Sequence, residues 1–345
     1  MKDMKQSSRR RATLGIVAAL ALTVVMAATA VTSSAAPRKT INIAYFAPLA
    51  NTYVQGELNG IAKVLKANPG VKLTKVDTGF DATKQFNSVQ DAITQKKFDG
   101  FIVLALDSVG LVPAVQQAVK AGIKVVSADT PLGPRQDTSA VQVAGVSGSV
   151  FDTWTLRGVW GGQLIVKACA GINPCKVGWM SSVAALPAEK AYHDTAIKYI
   201  AKYANIKVVA TVDGGAYTAA GGQKVSQDVL TAHNDLNVLV AVGDQPAAGA
   251  VLSIDSAGLT GKVKLIGGCP SKISKPLIVS GKEWGSWACY PEDEGRLAME
   301  ILLQAINGTL KAPKGLSPTQ ERMKAGGSAL VTKENIGTYE IQYAG

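Results

Sequence analysis

Histidine is nearly absent from this chain: His193 and His233 are the only two in 345 residues, and cysteine is limited to Cys169, Cys175, Cys269 and Cys289. A zinc site needs clustered Cys and His ligands. Both histidines lie far from every cysteine in sequence and read as surface helix residues, so no metal is expected. Nor does any Lys/Arg stripe interleave with aromatics, which make up only 6% of the chain, and nucleic acid is therefore not an expected partner. No Gly-x-Gly-x-x-Gly follows a strand-like run, and no phosphate loop ending in Gly-Lys-Ser/Thr exists. Gly145-Val146-Ser147-Gly148 comes nearest to a nucleophile elbow, yet it lacks the second Gly at the required spacing and no His follows in a triad-like setting. Asp293 and Glu294 stand at a helix start, where carboxylates complement the dipole rather than perform acid/base work. These absences favour binding without catalysis and imply no cofactor. An α/β hydrolase or other enzyme is the lesser alternative.

What is there is a soluble globular composition, 47% hydrophobic and 18% charged, long enough for two domains. The formal net charge is +11. Five basic residues against Asp3 leave +4 of this in the first 35 residues and +7 in the rest, consistent with a solvated surface or attraction to an anionic membrane face. The N-terminus has the layout of a targeting segment. Basic residues run to Arg11, an apolar stretch covers 14–31, and Ser33-Ser34-Ala35-Ala36 supplies small residues for cleavage after Ala35. Residues 1–35 are thus expected to be a signal peptide, and the protein to be exported to the periplasm or the outer face of the cell membrane. The other reading is an uncleaved anchor. No Cys follows the apolar run, which argues against a lipoprotein, and no Phe-Leu follows Ser8-Arg9-Arg10 to complete a twin-arginine signal. Export permits disulfides. Four cysteines allow three pairings, of which Cys169–Cys175 and Cys269–Cys289 are the simplest.

From residue 40 onward, β-rich runs alternate with amphipathic ones. Strands are expected over 41–47, 71–76, 101–105 and 123–128, and helices over 55–67, 83–96 and 111–121. The rhythm then restarts with a long helix over 150–170. Strands at 177–180, 208–212, 238–242, 263–266 and 329–332 follow, with helices at 189–203, 222–232, 246–256 and 292–307. Residues 311–327 read as a polar surface excursion. Two such series imply two similar α/β lobes, each a parallel sheet covered on both faces. Ligands of such sheets sit beyond the carboxyl ends of the strands. The residues there are Asn51-Thr52-Tyr53-Val54, Asp129-Thr130-Pro131, Asp213-Gly214-Gly215-Ala216-Tyr217 and Gly243-Asp244-Gln245-Pro246. Aromatic faces pack on the C–H faces of a ring, while carboxylates and amides fix hydroxyls. Asp107 and Asp244 read as turn or cap carboxylates.

Several segments together give a family likeness. Val103-Leu104-Ala105-Leu106-Asp107-Ser108 leads into Leu111-Val112-Pro113-Ala114-Val115. Ala121-Gly122-Ile123-Lys124-Val125-Val126 ends in Asp129. Leu230-Thr231-Ala232-His233-Asn234-Asp235 precedes Gly243-Asp244 and Ala248-Gly249-Ala250, and Leu330-Val331-Thr332-Lys333-Glu334-Asn335 closes the series. In this order the chain resembles the periplasmic sugar-binding proteins of ABC importers, of the ribose/galactose type related to the ligand domains of lac-type repressors. The likeness spans about residues 40–339. It implies a type I periplasmic binding fold: two doubly wound lobes joined by three crossovers near residues 145–148, 289–291 and 326–329. The N-terminal lobe would comprise 36–146 and 290–327, and the C-terminal lobe 147–289 and 328–345. Implied partners are a small polar ligand and the importer's membrane subunits, with the chain itself a monomer. A membrane chemoreceptor or sensor kinase is an alternative partner.

Carried over residue by residue, the resemblance implies ligand contacts at Asn51, Tyr53, Asp129, Lys190, Tyr217 and Gly243. Gly60 also matches, while Thr130 stands where the family usually has Arg. Three departures fall in the expected site: Gly243 replaces an Asn, Cys269 an Asp and Cys289 a Gln. The two cysteines fall at strand ends next to the hinge and would bond to each other, although two buried free thiols are the alternative. A disulfide there would favour a ligand with an apolar edge over a fully hydroxylated sugar. Trp154, Trp284 and Trp287 could reshape the pocket or simply pack in the core.

Overall fold

The computed structural model describes residues 40–345; the expected signal segment lies outside them. The first series is β1 (Ile41–Ala47), α1 (Thr52–Ala67), β2 (Val71–Asp77), α2 (Ala82–Thr94), β3 (Gly100–Val103), α3 (Val112–Lys120), β4 (Lys124–Ala128) and β5 (Gly148–Val150). The second is α4 (Trp154–Ala168), β6 (Cys175–Ser181), α5 (Pro187–Ile200), β7 (Ile206–Asp213), α6 (Ala219–Ala232), β8 (Val238–Ala241), α7 (Asp244–Ser256), β9 (Lys264–Gly268), α8 (Ser274–Ser280) and β10 (Gly285–Trp287). Then come α9 (Pro291–Ile306), β11 (Lys314–Leu316), α10 (Pro318–Lys324) and β12 (Leu330–Thr332).

These strands form two six-stranded sheets, ordered β11-β5-β4-β3-β1-β2 and β12-β10-β9-β8-β6-β7. Every pairing is parallel except β10 with β12. The central strands β3 and β8 are buried at every residue, as helices on both faces require. The outer strands β2 and β7 instead expose residues such as Lys72, Lys75 and Lys207, which protects a sheet edge. Alternate residues feed opposite faces. In the first sheet Phe46, Phe101 and Val103 pack with Val89 and Val115, while Tyr45, Ile102 and Val126 pack with Met299 and Leu302. In the second, Trp179, Val238 and Val240 face Leu164 and Tyr192, and Leu239 and Leu265 face Val229 and Val251.

One helix pair in each lobe is brought together by glycine. A Cβ on Gly60 of α1 would lie 1.9 Å from the Glu292 carbonyl oxygen of α9, and one on Gly249 of α7 would lie 1.9 Å from that of Ala219 in α6. This gives Gly60 a packing role.

The chain changes lobe between β5 and α4, between β10 and α9, and between β11 and β12. The first change was expected at 146/147, which is too early: β5 pairs with β4, so the first lobe extends through Val150. The helix expected from 150 starts at Trp154 instead, because the Thr153 hydroxyl caps it by accepting from the Leu156 N–H. Residues 311–327 are not a mere excursion. β11 completes the first sheet, and Ser317 and Thr319 are buried because their hydroxyls donate to Asp152. Thr319 also reaches the Ala288 carbonyl, so a single buried cluster ties all three crossings together.

Candidate functional site between the lobes

The carboxyl ends of both sheets border one cavity of about 140 Å³. A water needs about 10–15 Å³ of such space, so the cavity has room for one compact molecule. Its walls include Asn51, Tyr53, Asp129 and Gln136 from the first series, and Trp154, Arg157, Tyr217, Gly243, Cys269 and Trp287 from the second.

Five of the six expected ligand residues line this cavity. Asn51 caps α1, and its Oδ1 accepts from the Val54 N–H at 2.9 Å. Tyr53, one turn into α1, directs its hydroxyl to Glu294 Oε2 at 2.6 Å and Asp129 Oδ1 at 3.1 Å, with its ring edge-on to Tyr343. Asp129 follows β4 in the left-handed region (φ +56°), as Tyr217 does after β7 (φ +52°). Strained backbone of this kind needs support from its surroundings. Tyr217 has it in Glu189, which bonds the phenol while accepting the N–H groups of Ser182 and Val183. Gly243 (φ +105°) starts α7 where a side chain would be strained. Lys190 does not belong. It projects from the outer face of α5, its side chain 70% exposed, and pairs with Asp194 one turn on. The cavity is instead met by Leu186, Pro187 and Ala188 at the start of that helix.

Asp107 is a turn carboxylate, accepting from the N–H groups of Val109 and Gly110. Asp244 begins α7 but also borders the cavity, and burial pushes its carboxyl up to about 6. Trp154 and Trp287 line the cavity; Trp284 does not, and Lys264 lies over its ring. Both disulfides are present, with Cα–Cα separations of 5.6 Å for Cys169–Cys175 and 4.9 Å for Cys269–Cys289. Cys269 forms part of the cavity wall. The Tyr343 hydroxyl donates to its carbonyl, and the Tyr339 hydroxyl to that of Cys289.

The residue missed in the sequence is Arg157. It is 2% exposed, with its guanidinium over the rings of Trp154 at 4.6 Å and Trp287 at 5.1 Å. It faces Asp129 at 3.3 Å and Glu294 at 3.7 Å. Its only sequence signal is a single Arg in the first turn of a helix with two Trp, whose only other charged residue is Lys167. Glu294 was read as a dipole partner at a helix start, whereas it is fully buried beside Glu57, which receives the Tyr45 hydroxyl. Burial pushes both glutamates well up, and the charge of Asp129 pushes them further, with Arg157 opposing. A connected polar group thus runs from the first lobe's core to the cavity wall. Its Arg157–Asp129 contact joins α4 of the second lobe to the first.

The profile of the periplasmic binding protein domain matches residues 43–310, more than half of the chain. The chain belongs to this family. Its members are solute binders rather than enzymes, exported to the periplasm to work with ABC importers. Among curated relatives, a D-ribose/D-allose-binding protein of Pseudomonas aeruginosa is 26% identical over 231 residues, covering 66% of this chain and 69% of its own. A ribose import binding protein of Bacillus subtilis is 28% identical over 274 residues, covering 77% and 83%. The fold is shared with a solute-binding protein of Bacillus halodurans carrying myo-inositol (TM-score 0.76, 19% identity, 88% of this chain and 98% of the other). It is shared too with one of Actinobacillus succinogenes carrying D-allose (TM-score 0.74, 24% identity, 87% and 100%).

Proposed function

We propose that this chain captures a sugar or sugar-like polyol between its lobes and presents it to an ABC importer. The observation that carries this reading is the composition of the cavity wall. Both sheets contribute strand-end residues to it, so a ligand touching both walls stabilises the arrangement in which they meet. Asp129 Oδ1 is taken by Tyr53 and Arg157, and no hydrogen bond of the described residues falls on its Oδ2. The Trp154 indole N–H and the Gln136 Oε1 are buried without partners. Unpaired polar atoms of this kind are costly unless a bound molecule satisfies them. The sugars named for the relatives point the same way. A thermal-shift screen of sugars, polyols and unrelated small metabolites tests the proposal. A ligand at 100 times its Kd stabilises by about 2.7 kcal/mol. The proposal fails if only non-hydroxylated metabolites raise the midpoint.

A further inference from the structure

Arg157 is the only Lys, Arg or His among the described residues that line the cavity, whereas two carboxyl groups, Asp129 and Asp244, stand in its walls. Arg157 shows what these walls offer a cation. Its guanidinium lies over the rings of Trp154 and Trp287 and faces Asp129 and Glu294, so aromatic faces and carboxylates hold the charge together. Asp244 has comparable surroundings on the second lobe. Tyr343 lies beside it, and the Tyr217 ring packs against Gly243, the residue before it. Both rings line the cavity. Yet among the described residues no Lys, Arg or His forms an ion pair with Asp244. Its Oδ2 is buried without a hydrogen-bond partner, and the nearby Tyr343 hydroxyl donates to the Cys269 carbonyl instead. Its acidic neighbour Glu283 is fully buried, with its carboxyl pushed well up by burial and further by the charge of Asp244. Asp244 is thus an unanswered negative charge in a buried wall, which is costly unless an opposite charge meets it.

We infer that the ligand is a cationic polyhydroxy compound, an amino sugar or amino polyol, whose ammonium group is held by Asp244 beside Tyr217 and Tyr343. Its hydroxyls are left to Asp129, Gln136 and the Trp154 N–H. The inference rests on the sugar-binding reading above and narrows it. The same charge balance disfavours acidic sugars, because Arg157 already answers Asp129 and Glu294 and no second cation lines the described wall. A bound ammonium also draws down the Asp244 carboxyl, which burial raises to about 6.

Calorimetry with pairs that exchange one hydroxyl for an amine tests this: D-glucose with D-glucosamine, D-galactose with D-galactosamine, sorbitol with 1-amino-1-deoxysorbitol, glycerol with 2-amino-1,3-propanediol. The measurements are made at pH 7, above the value of about 6 to which the Asp244 carboxyl is raised. The amine of at least one pair is expected to bind about tenfold tighter or more than its partner, as a charge-assisted hydrogen bond in a buried wall dictates. Asp244→Asn keeps the shape of the wall and is expected to bring that ratio close to one. Asp129→Ala is expected to weaken both members by a similar factor and to leave the ratio standing. A carboxyl that merely begins α7 predicts an unchanged ratio in Asp244→Asn, and that result overturns the assignment of Asp244. A ratio lost in Asp129→Ala but kept in Asp244→Asn overturns it too, by placing the ammonium at Asp129. A neutral member binding as tightly as its amine in every pair that binds overturns the inference and leaves the sugar-binding reading intact. Binding to no member of any pair overturns both.

Discussion

Replacing Asp244 by Asn should stabilise the protein at neutral pH. The Asp244 side chain is 2% exposed, and its carboxyl rises from the ordinary 3.8 to about 6. Burial is the main cause; nearby hydroxyls of Ser271 and Tyr343 offset only part of it. A raised carboxyl means the folded protein binds this proton more tightly than the unfolded chain does. The benefit is complete below pH 3.8 and is lost as the pH climbs to about 6. At about 1.36 kcal/mol per pH unit, the loss amounts to about 3 kcal/mol. Asparagine keeps the shape and abolishes the titration. It gives up the charge at the first residue of α7, where the helix dipole favours an anion by about 0.3–1 kcal/mol. A net gain of about 2 kcal/mol is expected at pH 7–8, shrinking to nothing near pH 4. Denaturant unfolding of both proteins at each pH unit from 4 to 8 measures it. The other buried carboxyls, such as Glu57 and Glu294, remain in both proteins and largely cancel in the difference. Parallel pH profiles for wild type and Asp244→Asn would refute the reasoning.

Three further outcomes are expected. Asp129→Ala should weaken ligand binding by about 1.5–3 kcal/mol in calorimetry, tenfold or more. Its fold should persist, since Glu294 still faces Arg157; unchanged affinity would remove Asp129 from the site. Gly60→Ala should destabilise the protein by roughly 1–3 kcal/mol or more, because the new methyl meets backbone of α9 and the two helices must part. Gly70→Ala, with nothing within 4 Å, should change the melting midpoint little; equal effects from the two would contradict the close packing of α1 on α9. Non-reducing peptide mapping should link Cys269 to Cys289, whose sequence separation is 20, and cutting that loop should cost on the order of 3 kcal/mol. Both thiols alkylated after denaturation without reductant would rule the bridge out.

The repeating β and α runs were legible because a sheet covered on both faces demands long apolar strands, and β3 and β8 satisfy that demand locally. The three-residue strands β5, β10 and β11 were not legible. Each is too short to show a period, and each exists because a neighbouring strand supplies partners for it. Asp129 and Tyr217 could be found because they directly follow strands, where this architecture puts ligands. Lys190 was misplaced for lack of a helix phase: one turn away, Leu186 and Pro187 reach the cavity and Lys190 reaches water. Arg157, Glu57 and Glu294 defeated sequence reading for a shared reason. Charged residues on helices usually face solvent. Their burial is decided only when α1, α4 and α9, drawn from distant parts of the chain, come together.

The way the chain recrosses between lobes has a consequence for how it is made. The face of the first sheet that carries Tyr45, Ile102 and Val126 is closed by Met299 and Leu302 of α9, which come after the entire central part of the second lobe. The second sheet in turn receives its last strand, β12, only at residues 330–332. While ribosome or translocation pore still holds the last fifty residues, the first sheet cannot close its Tyr45 face and the second sheet lacks its last strand. A chain built in this order cannot complete either lobe until its end is released. The final segment supplies the missing face of one lobe and the missing strand of the other.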